Sequence, residues 1–318
     1  MAHESPSQPR AVTAAAAQVS IVLVSRNDGA TLRRTVDQLL AATPCAELVV
    51  VDDCSDDGGT GLLAGDYQRV RLLRLRNPLG IAAKWNAGAD VAGGEVLVFP
   101  GPGVLVDRSW AAALAAELAR PEVGAAAPAQ VLLACPGARM AGLTWTNAAF
   151  DVRRLRCHGS DPRPVPLLTG HCIAVRRDVF ATLGGFDVGM MRRAGAAVEL
   201  SLRLWRCGYQ CRVAPASVVT VQPAATPPGR PADRAVLHDR LRLGIVHLAE
   251  EWLRQLVRAL QGRQAFAAAL ARAVDGDAGR RRATVQAQAV HDDAWFLDRF
   301  AIAAFVGARR SPHCEGRS

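Results

Sequence analysis

The chain has 318 residues, 50% of them hydrophobic and 21% charged, which is enough to bury a large core and excludes a disordered polymer. Its formal charge of +9 comes almost wholly from arginine, Lys84 being the only lysine, and no basic stripe interleaved with aromatics accompanies it, which argues against nucleic acid as a partner. No stretch reaches the roughly 20 apolar residues of a membrane span, residues 1–18 lack the pattern of a secretion signal, and eight cysteines form no paired CxxC units, so a cytoplasmic protein with reduced thiols is expected.

Residues 1–18 mix Pro, Ser and Ala without periodicity and read as a disordered tail. VSIVLVS (19–25) is a β-branched run suited to a strand buried on both faces, and Leu32, Val36, Leu39 and Leu40 then recur at helical spacing. Further strands are expected at 46–53, 70–76 and 95–100, with a helix over 80–92. That alternation describes a mostly parallel sheet flanked by helices, an α/β fold whose ligands bind at the carboxyl ends of the strands. A helix follows at 108–120. The stretch 121–170 is irregular, with short strands at 125–134 and 164–170. A strand and helix over 172–184, a helix over 198–208 and a strand over 209–215 close this half.

The prolines of 223–234 read as a linker. Beyond them, Leu237, Leu241, Ile245, Leu248, Trp252 and Leu256 mark one amphipathic helix to about residue 260, and a second is expected near 283–306. The reading is thus a tail (1–18), an α/β domain (19–222), a linker (223–234) and a helical annex (235–318). The annex could pack on the main domain, pair two copies as a homodimer or meet a partner protein.

SIVLVSRND (20–28), VVVDDCSDDGGT (49–60) and NPLGIAAKWNAGADVAGGEVLVF (77–99) together resemble the N-terminal half of family 2 glycosyltransferases of the GT-A fold. The matching positions are Asn27, Asp28, Asp52, Asp53, Ser55, Asp57, Asn77, Gly80, Asn86, Gly88, Ala92, Gly94 and Glu95. FDVGMMRRAGAAVELSLRLWRCG (186–208) is similar to polypeptide N-acetylgalactosaminyltransferases, as, more faintly, is AFDVRRLR (149–156). The resemblance spans about 19–222 and implies a sugar donor activated by a nucleotide diphosphate, with an acceptor the sequence does not name.

It further implies that Asp53 and the backbone around Ser25 to Asn27 hold the nucleotide. Asp52 and Ser55 serve equally well as turn and cap residues, Asn27 and Asn86 as loop-stabilising amides, and Lys84 either faces the diphosphate or is solvated. The Asp-x-Asp that holds the family's divalent cation is replaced by Gly101-Pro102-Gly103, and the later histidine ligand by Val221, so no metal cofactor is expected. The catalytic acids before the LS-R-W segment are replaced by Ala196 and Ala197. Arg192 and Arg193 could meet the diphosphate instead, guanidinium binding phosphate without a metal. Glu199 and His171 are the remaining catalytic candidates, Glu199 having first-turn packing against the helix dipole as its alternative role and His171 being a proton acceptor of near-neutral pKa. Asp187 and His158 are weaker candidates. An active metal-independent transferase and a non-catalytic relative that only binds both fit this pattern.

Overall fold

The computed structural model describes residues 18–61, 69–101, 103–133, 135–222 and 231–302, together with Leu63 and Tyr67. The expected tail (Gln18 apart) and most of the expected linker lie outside the described residues.

One sheet organises the chain. Strands β1 (Val19–Ser25), β2 (Glu47–Asp52), β3 (Val70–Arg74) and β4 (Val96–Pro100) run parallel in the order β3-β2-β1-β4. The sheet continues through β10 (Cys172–Arg176), antiparallel to both of its neighbours, to β6 (Val123–Leu132), β11 (Gln210–Val221) and β5 (Val104–Val106). β7 (Cys135–Trp145) pairs with β6 and with β8 (Val152–Arg156), and the short β9 (Arg163–Pro164) with β11.

Alternate side chains of the parallel strands leave on opposite faces, and both faces are covered. Ile21, Leu23, Leu48 and Val50 pack with Leu32, Val36 and Leu39 of α1 (Gly29–Ala42) and with Trp110 and Leu114 of α3 (Trp110–Leu118). Val22, Val49 and Val51 pack on the other face with Trp85 and Ala89 of α2 (Ile81–Val91) and with Leu200 and Leu204 of α5 (Arg193–Arg206). The short α4 (Arg177–Thr182) follows β10 directly.

Three expectations need correction. The stretch 121–170 is not irregular: β6 and β7 are ten and eleven residues long, a run of buried alanines in β6 having masked its periodicity. The helix expected over 198–208 begins five residues earlier, at Arg193, so Glu199 is not in its first turn. In the annex, the single helix to residue 260 is two, α6 (Pro231–His247) and α7 (Glu250–Leu260), with α8 (Phe266–Val274), α9 (Ala278–Gln288) and α10 (Asp293–Arg299) after them. Residues 231–234, assigned to the linker, are the first turn of α6, where proline is well tolerated. No proline or glycine breaks the chain between α6 and α7. Tertiary bonds do: Arg282 donates to the carbonyls of Ile245 (2.6 Å) and Leu248 (2.8 Å), and Asp293 accepts from the amide of Ala249 (2.5 Å). No periodicity announces such a break.

The annex is fastened to the sheet domain by buried ions. Arg242 of α6 grips Asp187 through two bonds (2.6 and 2.8 Å) and also reaches Asp277 at 2.7 Å. Asp239 accepts from the amides of Met191 (2.8 Å) and Arg192 (3.0 Å), the N-cap residue of α5 and the one before it, so it fixes the turn that leads into that helix. The close fit explains one of the sequence's glycines: a Cβ on Gly195 would lie 2.3 Å from an Asp239 carboxylate oxygen.

Candidate active site

The carboxyl ends of β1, β2 and β4 lie side by side in the parallel part of the sheet, and the polar residues that end them cluster there. Asp53, one residue beyond β2, is fully buried and donates its amide to the Ser25 carbonyl at 3.0 Å. Its carboxylate accepts from the amide of Leu79 (3.0 Å) and meets Lys84 Nζ at 2.5 Å and Arg26 at 3.5 Å. Burial alone would raise its pKa, but the Lys84 bond, the Leu79 amide and the charges of Lys84 and Arg26 outweigh it and hold the carboxyl below its ordinary value. Ser25, at the end of β1, has a buried hydroxyl with no hydrogen-bond partner. The structure thus brings together three of the four residues assigned to the nucleotide: Ser25, Asp53 and Lys84.

Asn27 stands apart. It is exposed with a left-handed φ of 52°, its amide donates to Ser55 Oγ (3.0 Å), and its side-chain oxygen accepts from the Asp56 amide (3.0 Å). These bonds tie two loops together, so its side-chain oxygen is committed to the scaffold. Asp52 resolves as a turn residue, accepting from the Ser55 amide (3.0 Å) and Thr60 Oγ1 (2.8 Å). Asn86 likewise braces the loop before α5 by exchanging bonds with the amide (2.8 Å) and carbonyl (2.9 Å) of Phe186.

A second cluster sits beyond β4. The amide of Gly101 donates to the His171 carbonyl at 2.6 Å, and a Cβ on Gly101 would meet an Arg193 guanidinium nitrogen at 2.9 Å. Arg193 lies over the ring of Trp85, its guanidinium carbon 5.7 Å from the ring centroid, and its Nε is buried without a hydrogen-bond partner. Burial pushes Arg193 down to about 10, so it remains a cation at neutral pH. His171 Nδ1 is also buried and unpartnered, and burial first, then the charges of Arg154 and Arg193, push its pKa down to about 4. The ring is neutral and a weak base, not the near-neutral proton acceptor expected. Arg154 of β8 touches Gln130 at 3.5 Å, and Gln130 donates to Thr169. Arg154, Gln130 and Trp85 were missed in the sequence. No alternation marks Arg154, since Val152 and Arg156 on the same face of the strand are exposed.

The remaining assigned residues lie elsewhere. Arg192 is exposed at the head of α5, engaged through its backbone. Glu199 is apart from both clusters: it is 0% exposed and locked to Arg203 through two 2.8 Å bonds and to His247 Nε2 at 3.2 Å. Burial opposes its ionisation, but the charge of Arg203 and the His247 bond overcome this and depress its pKa strongly. Ala196 and Ala197, where the family places acids, are core residues with no exposure. Asp187 is held by Arg242, and His158 is exposed.

The depressed pKa of His171 has a measurable consequence. The unfolded chain takes up a proton near pH 6.5 that the folded chain refuses until about pH 4, so stability falls as pH drops through that window. In urea titrations at about pH 7.5 and about pH 4.5, the loss on acidification is expected to be smaller in His171→Gln than in the parent. Equal losses in both proteins would show that His171 is not held neutral by the fold.

The profile of glycosyl transferase family 2 matches residues 20–184, just over half of the chain. The chain belongs to this family. Among curated relatives, it is 28% identical to polypeptide N-acetylgalactosaminyltransferase 4 of Mus musculus over 67% of this chain and 41% of that one. It is 31% identical to the inactive polypeptide N-acetylgalactosaminyltransferase-like protein 5 of Mus musculus, over 70% of this chain and 56% of that one. The chain therefore spans only about half the length of such relatives. The crystal structure of GalNAc-T7 with UDP, GalNAc and Mn2+ superposes with a TM-score of 0.74 at 21% identity, covering 90% of this chain and 56% of that one, which establishes the GT-A fold. No described helix of this family 2 member is long and apolar enough to cross a membrane.

Proposed function

We propose that the protein transfers a sugar from a nucleotide-diphosphate donor to an acceptor nucleophile, and does so without a divalent cation. The single observation that carries this reading is the polar cluster at the carboxyl ends of β1, β2 and β4, where the buried acid Asp53 is paired with Lys84 and, two strands along, the cation Arg193 lies beside Gly101. In the reaction the anomeric carbon–oxygen bond breaks with its electron pair on the diphosphate, and the acceptor oxygen bonds to that carbon. Glu199 is enclosed and His171 is a weak base, so the departing diphosphate is the strongest base left for the acceptor's proton.

The metal of the fold's relatives does not fit these residues. Gly101 and Gly103 offer no side-chain oxygen, the counterpart of the later ligand is the buried Val221, and the Arg193 guanidinium lies where an acid on Gly101 would project. A dication beside a fixed guanidinium is repelled, and the guanidinium supplies the positive charge instead. In this proposal the donor enters base-first toward Asp53, with its diphosphate toward β4.

Calorimetry with uridine, guanosine and thymidine diphosphates tests the reading. At least one is expected to bind, equally in manganese and in chelator, and Asp53→Ala to weaken it at least tenfold. Failure of all three at millimolar concentration would refute it. A second reading, a binding module without turnover, is favoured by the burial of Ala196 and Ala197, which leaves no carboxylate at either family position. Nucleotide binding without sugar hydrolysis or transfer would establish it.

A further inference from the structure

Several enclosed arginines of this protein are matched with acids, and the buried Arg206 donates instead to the backbone carbonyls of His247 (3.0 Å) and His291 (3.3 Å). Arg203 is paired with Glu199, Arg242 with Asp187, and Arg212 with Glu117 at 3.0 Å. Among the described residues, the half-buried Arg154 and Arg193 have neither an acid nor a backbone carbonyl. Arg154 reaches only the neutral Gln130 at 3.5 Å while Arg193 reaches only the face of Trp85. Burial lowers the pKa of both, and no acid opposes that effect. Around them are two buried nitrogen atoms with no partner, Arg193 Nε and His171 Nδ1, and the bare backbone of Gly101. Two desolvated guanidinium groups without a counter-charge are costly, and the natural compensation is an anion from outside that takes bonds from both.

We infer that Arg154 and Arg193 form a diphosphate-binding pair in which Arg154, delivered by the β7–β8 hairpin, completes the charge that Arg193 alone supplies only in part. The inference rests on the donor reading above for the identity of its natural ligand, but not for its existence. Two cationic charges match the charge of one divalent metal ion, and a guanidinium presents its donors in a plane suited to phosphate oxygens. Gln130 holds Arg154 from behind through its side-chain oxygen, its nitrogen being engaged with Thr169, and acts as a positioning residue.

The test uses inorganic pyrophosphate and uridine as separate probes, by calorimetry on the full chain in chelator. The parent is expected to bind pyrophosphate, and Arg154→Gln and Arg193→Gln each to weaken it at least tenfold, with Arg154→Lys intermediate. Arg153→Gln, an exposed neighbour on the same strand, should leave it unchanged. Circular dichroism melts confirm that each variant is folded, and the lysine variant retains a readout if the glutamine variant is not. Pyrophosphate binding that needs manganese, that survives Arg154→Gln, or that is absent from the parent overturns the inference. If pyrophosphate binds as expected but no nucleoside or nucleotide does better, the donor reading fails and the anion pair stands.

Discussion

Glu199→Ala is expected to destabilise the protein by about 3–5 kcal/mol, the range for removing one partner of a buried ion pair. The carboxylate has no exposure and takes two bonds from Arg203, whose remaining donors point at the carbonyls of Leu183 (2.5 Å) and Gly185 (2.7 Å). Without Glu199 the guanidinium has only neutral oxygens around it, and His247 Nε2 loses its partner as well. Equilibrium urea denaturation measures the effect. Exchanging both partners for apolar residues, Glu199→Leu with Arg203→Met, is expected to cost less than the single change, because no stranded charge remains. A loss below about 1 kcal/mol for Glu199→Ala would mean that the pair is solvated and Glu199 accessible after all.

Trp85→Ala is expected to cost a similar amount, about 3–5 kcal/mol, and to act on Arg193 as well. The indole is 1% exposed and stands against Phe186 (centroids 4.8 Å apart) and Phe99 (5.8 Å). The Arg193 guanidinium lies over the same ring, so its removal leaves a cavity and frees the cation to change rotamer. Two readouts separate the effects: the denaturation midpoint reports the cavity, and pyrophosphate affinity reports the cation. Trp85→Phe should restore most of the first. A Trp85→Ala protein as stable as the parent would place the indole outside the core.

The parallel half of the fold was legible because its strands are written in valine and leucine between clear turns, and Asp53 was legible because it ends one of them. The cation beside β4 was half legible: the adjacent arginines Arg192 and Arg193 stood out, but only three-dimensional packing shows that one is exposed and the other lies over Trp85. Glu199 misled for a physical reason. A carboxylate at a family motif reads as chemistry until its partners are known, and the decisive partner, His247, lies 48 residues further along the chain. His171 misled similarly, since its ordinary pKa is overridden by burial and by two arginines remote in sequence. The annex was legible as helices but not as the five among the described residues, because the break between α6 and α7 is enforced by bonds from later parts of the annex.

The hold of Asp239 on the turn before α5 changes where this molecule can be divided. The family profile stops at residue 184, three residues short of Asp187. Asp187, the head of the helix that carries Arg193, and Glu199 are each completed by a side chain from α6. A seam drawn after β11, the last strand of the sheet, would therefore sever three electrostatic stitches at once, and that strand is not the end of the machine. The helices after it are part of the mould in which Arg193 is set.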